Sequence, residues 1–133
     1  MFTEQEHETA AETLGRAFYQ YAADGYLECA DWADAPRDED GEEEETIGFH
    51  AETIKRADEI VVGFIDANAA TIKAAGLSGN QVGHDLWLTQ NGHGTGFWDR
   101  GLGELGDELT KAAKAEGSAY LYVDDEGWTR LEG

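Results

Sequence analysis

Cysteine, proline and basic residues are scarce in this chain. Of its 133 residues, one is Cys, one is Pro and nine are Lys or Arg. The lone thiol, Cys29, can close no internal disulfide and has no cysteine partner for a metal site, so disulfide scaffolds and zinc ribbons are excluded. Long hydrophobic runs are absent too. The longest apolar stretches, such as Ile60–Ile65, fall far short of the roughly 18 residues a membrane span needs, and the acidic N-terminus lacks the basic start of a signal peptide. The expectation is a soluble cytoplasmic protein without a membrane partner. Scarce Lys and Arg also argue against direct nucleic-acid binding, which depends on cations that displace phosphate counterions.

What the chain has is acid. Asp and Glu number 29, for a formal charge of −20 and a pI near 4.2. At 41% apolar and 11% aromatic it still carries enough hydrophobic surface to form a core, so one folded domain over residues 1–133 is expected. A charged partner must therefore be basic.

The acid is regional. Residues 26–50 carry a net −9, whereas residues 51–75 and 76–100 carry only −1 each. The densest run, Asp38-Glu39-Asp40-Gly41-Glu42-Glu43-Glu44-Glu45, offers nothing apolar to anchor a regular element and reads as an exposed loop at 36–46. Upstream, Glu4, Glu8 and Glu12 recur at helical pitch on one side of a first helix. With Glu28, Asp31 and Asp34, these residues define a candidate acidic face. The run lacks the calcium-binding order of an EF-hand loop.

Periodicity predicts a first helix from Glu4 to about Ala23, stopped by Gly25, with Leu14, Ala17, Phe18, Tyr21 and Ala22 on its apolar side. Tyr26 to Ala35 reads as a short helical extension that takes Leu27, Cys29 and Trp32 into the core. A second helix spans Ala51 to about Ala75, with Ile54, Ala57, Ile60, Val61, Phe64, Ile65 and Ile72 inward and Gly76 as its C-cap. His84–Thr89 alternates like a strand, and Asn91-Gly92 signals a hairpin whose return is Gly96–Asp99. Leu102, Leu105, Leu109, Ala112 and Ala113 mark a third helix. Ala119–Val123 and Trp128–Leu131 form a closing hairpin about Asp124–Gly127. The expected fold is thus α+β, ordered ααββαββ, with a small antiparallel sheet of hairpins.

Within residues 83–101, His84, Asp85, His93 and Asp99 could bind a metal or perform hydrolytic acid–base chemistry. Hairpins also use such residues to hold turns, and that structural reading is favoured. Gly101-x-Gly103-x-x-Gly106 matches a dinucleotide fingerprint, but only nine residues follow Asp124, too few for the remaining strands of such a sheet. No catalytic residue, metal or cofactor is expected.

The segment Gly83-His-Asp-Leu-Trp-Leu-Thr-Gln-Asn-Gly-His-Gly-Thr-Gly-Phe-Trp-Asp-Arg-Gly101 resembles one found in small phage and mobile-element proteins of unknown function. The likeness continues through Leu105-Gly106-Asp107 and Leu121-Tyr122-Val123. It implies a phage context and supplies no reaction. In composition the chain resembles acidic DNA mimics of the anti-CRISPR and anti-restriction type. That resemblance implies a non-enzymatic inhibitor that occupies the nucleic-acid-binding surface of a host defence complex, with a CRISPR surveillance complex ranked first. Salt adaptation is the rival explanation of the acidity, and it predicts acids dispersed over every element, unlike the counts above.

Overall fold

The structure is a computed structural model that describes residues 4–133. Its helices are α1 (Glu4–Leu14), α2 (Arg16–Asp34), α3 (Ala51–Ala75), α4 (Gly79–Gln90) and α5 (Glu104–Ala115). A short 3-10 turn occupies Phe97–Asp99, and the strands are β1 (Gly48–Phe49), β2 (Tyr120–Val123) and β3 (Trp128–Glu132). The order ααββαββ is therefore corrected. The fold is mostly helical α+β, and its three-stranded sheet is mixed: β3 pairs antiparallel with β2 and parallel with β1.

The largest correction concerns residues 84–89, which lie within helix α4 and form no strand. Ser78 caps that helix by accepting from the Gln81 amide at 3.2 Å, and Asn91 ends it. Gly92, at φ +70°, leads out of the helix rather than through a hairpin. Asp85, Leu86, Trp87, Leu88, Thr89 and Gln90 are all buried, so burial on every side replaces the alternation that would mark a half-exposed strand. The expected return strand at 96–99 is the 3-10 turn.

The expected first helix is two helices, broken at Gly15 (φ +90°). Gly25 stops neither of them, because α2 continues to Asp34 and takes in the expected 26–35 extension. A Cβ on Gly25 would meet the Asn80 carbonyl oxygen at 2.5 Å, one on Gly79 the Phe18 carbonyl oxygen at 2.6 Å, and one on Gly83 the Tyr26 amide at 2.6 Å. These three glycines let the backbones of α2 and α4 approach closely. Gly79 faces Phe18 and Ala22, Gly83 faces Ala22 and Tyr26, and Trp87 reaches Tyr26 and Asp34, so α4 follows α2 in the same direction.

The core of Tyr26, Cys29, Val61, Phe64, Ile65, Ile72, Leu86, Trp87, Phe97 and Leu109 lies between this pair and α3 and α5. Ala57 and Ile60 are buried as expected, whereas Ile54 is exposed at the start of α3. Gly76 caps α3 with left-handed backbone, as expected. Trp32 is corrected: 79% exposed, it stands outside the core. No single helix among the described residues is long and apolar enough to cross a membrane.

Candidate functional site: an acidic band along α2

Helix α2 has 19 residues and so measures about 28 Å. Its outer side carries Asp24, Glu28 and Asp31, all exposed. At its N-terminal end, Glu8 of α1 ion-pairs with Arg16. Glu4 and Glu12 of the same stripe are exposed. Beyond its C-terminal end comes the acidic loop, in which Asp38, Glu39, Asp40, Glu42, Glu43, Glu44 and Glu45 are all exposed. The carboxylates thus follow α2 as a band with a group at each end. They do not form one compact patch.

The 36–46 loop has structure of its own. Its backbone folds back so that the Asp38 amide donates to the Glu42 carbonyl and the Glu44 amide to the Pro36 carbonyl, each at 2.9 Å. Asp38 Oδ1 accepts from the amides of Asp40 and Glu42. Arg37 donates to the Gly41 carbonyl and sits 3.7 Å from Glu43. Asp38 and Glu43 therefore shape the turn, and the remaining carboxylates extend from it.

Asp34 has a different role from its neighbours. One of its oxygens accepts from Trp87 Nε1 and bonds His93 Nε2, both at 2.7 Å. It ties the end of α2 to α4 and to the loop that follows. Glu28 accepts from the Asn80 side chain at 3.4 Å.

Residues 83–101 bring their chemistry-bearing side chains to separate partners. Asp85 is wholly buried on α4 and is held by Arg100, whose Nη2 donates at 2.8 Å and whose Nε donates at 3.2 Å. Asp99 accepts from the Gly96 amide and the Thr95 hydroxyl, and these bonds hold its carboxyl below the usual carboxylate range. His93 belongs to Asp34, and His84 is half-buried elsewhere on α4. Among the described residues, no three His, Cys, Asp or Glu side chains are arranged to hold a metal. Phe97 is buried against Phe64, while Trp98 is half-exposed.

One cluster carried no signal in the sequence. Asp66 of α3, its side chain 6% exposed, accepts from the Tyr19 hydroxyl at 2.6 Å and bonds His7 Nδ1 at 2.7 Å. These residues lie 59 and 47 positions apart from Asp66, so no local pattern joins them. They border a depression of about 270 Å³ with Arg16, Gln20 and Asp58. The only hydroxyl in the cluster, that of Tyr19, is held protonated by burial and by the Asp66 carboxylate, which makes it a poor nucleophile. Its evident work is to fasten α1 to α2 and α3. Burial likewise pushes the Cys29 thiol up to about 11, which leaves it inert at neutral pH.

No protein-family model matches the chain, and neither a curated protein nor a solved structure matches it.

Proposed function

We propose that this protein is a phage-encoded, non-catalytic anti-defence protein that acts in the host cytoplasm as an acidic DNA mimic. It occupies the basic nucleic-acid-binding surface of a host defence complex, with a CRISPR surveillance complex the first candidate. The observation that carries this reading is the exposed acidic band: α2 and the loop after it present Asp24, Glu28, Asp31, Glu39, Asp40, Glu42, Glu44 and Glu45, and no cation among the described residues ion-pairs with them. A length of about 28 Å along α2 corresponds to about eight base pairs of duplex, enough to cover a nucleic-acid groove. The band also supports this reading over salt adaptation, because residues 51–100 add only −2 to the net charge.

The test is capture of a nucleic-acid-binding complex from host lysate, followed by competition with duplex DNA. Capture should weaken steeply as salt rises, since carboxylates replace phosphates against Lys and Arg. Joint replacement of Glu42, Glu43, Glu44 and Glu45 by Lys should abolish inhibition and leave the melting temperature the same or higher, because self-repulsion falls. Capture that is indifferent to salt, or inhibition that survives the four replacements, overturns the reading.

A further inference from the structure

Large aromatic side chains left in water on a folded domain mark contact surfaces, because Trp and Tyr combine apolar area with low conformational cost. Helix α2 leaves two of them out, Trp32 at 79% and Tyr21 at 62% exposure. They are 11 residues apart, three helical turns with an offset of about 20°, so both stand on one side of the helix about 16 Å from each other. Glu28 lies between them on that side, with Asp24 and Asp31 along its border.

The face has no cation of its own. No Lys or Arg occurs from residue 17 to residue 36. Among the described residues, Asp24 and Glu28 bond neutral amides, those of Gln20 at 2.9 Å and Asn80 at 3.4 Å, and neither they nor Asp31 has an ion-pair partner. Two rings that bracket uncompensated carboxylates match one side chain in particular. The arginine guanidinium stacks flat on an aromatic ring while its N–H groups donate to a carboxylate, and lysine's compact ammonium cannot do both as well.

We infer that the Tyr21–Glu28–Trp32 face of α2 is a docking surface for an arginine-bearing segment of a partner protein, with guanidinium groups stacked on Trp32 and Tyr21 and bonded to the carboxylates between them. This deepens the proposed function and rests on it only in taking the partner to be basic. Trp32 gives the face a chemical preference that the acidic loop, a source of charge without an aromatic ring, does not have.

The test titrates a fluorescent nine-residue arginine peptide, and a lysine peptide of equal length, into the protein at fixed salt. The native chain should bind the arginine peptide more tightly. Trp32→Ala should weaken arginine-peptide binding about two- to fivefold and remove the preference over lysine, with Trp32→Phe between the two. Tyr21→Ala should weaken it in the same direction, and Trp98→Ala should change nothing. Circular dichroism confirms that each variant is folded, as substitutions at exposed positions should be. Equal affinity for the two peptides in the native chain, or a Trp32→Ala variant that binds like the native chain or like Trp98→Ala, overturns the inference. Because the titration contains no nucleic-acid-binding protein, the two readings fail separately: a flat titration beside salt-sensitive capture removes the docking face and leaves the mimic, and the converse removes the mimic alone.

Discussion

Residues 83–101 and residues 38–45 both attract attention as sequences, and their polar groups do opposite things in the fold. In 83–101, Asp85 is bound by Arg100, His93 by Asp34, and Asp99 by its own turn. In 38–45, Asp38 and Glu43 hold the loop and the other carboxylates face water. Charge satisfied internally builds the molecule. Charge left over is available to a partner. A motif dense in His, Asp and Gly thus reports architecture here, and a run with no recognisable motif leaves most of its charge exposed.

The comparison breaks most visibly at Arg100. Replacing it with Ala strands the buried Asp85 carboxylate and should cost about 3–5 kcal/mol in denaturant unfolding. If 83–101 were a reactive site instead, the fold would survive and only function would be lost. Next in size is the α2–α4 contact. Gly83→Ala should cost upward of about 2 kcal/mol because the backbone opposite cannot retreat, whereas Gly63→Ala on α3, where a Cβ meets nothing within 4 Å, should gain up to about 1 kcal/mol. Equal effects at the two glycines would mean that α2 and α4 are not in close contact.

Asp34→Ala should cost about 1–3 kcal/mol by leaving Trp87 Nε1 without an acceptor, while Asp31→Ala three residues earlier should be nearly neutral to stability. That pair separates the carboxylate that builds from the carboxylate that is free.

The smallest effect is at Asp124, which accepts from Arg130 Nε at 2.7 Å and from two turn amides. Arg130 first, then those amides, lowers its pKa from the ordinary 3.8. A depressed folded pKa contributes stability that is present above 3.8 and lost as pH falls through the folded value. Asp124→Asn should therefore be less stable than the native chain at neutral pH and converge with it in strong acid, as followed by thermal melts.

Much of the fold was legible in the sequence where a single period dominated. The apolar spacing from Ala57 to Ile72 and the stop at Gly76 gave α3, and the Asp124–Gly127 turn gave the β2–β3 hairpin. Helix α4 reads as a strand because its last six residues are buried on every side and leave no apolar stripe, so that accidental alternation resembles a strand. Two signals pointed the other way: the Ser78-x-x-Gln81 cap pattern and the Gly79-x-x-x-Gly83 spacing that admits a close neighbour. Strand β1 has two residues and exists through its pairing with β3, so nothing local announces it. The acidic residues were legible as charge, but their roles were not. Only the fold reveals that Asp34 is engaged, that Trp32 is outside, and that His7 and Tyr19 converge on Asp66.

The 36–46 loop closes on itself through backbone bonds between Pro36 and Glu44 and between Asp38 and Glu42. Its tip is thereby closed off from α2 and β1, the elements it connects. Doubling the length of such a tip costs only about 0.6 kcal/mol in closure entropy. The negative charge this protein presents can therefore be raised, lowered or repositioned by insertion and deletion at the tip while the helical core stays as it is.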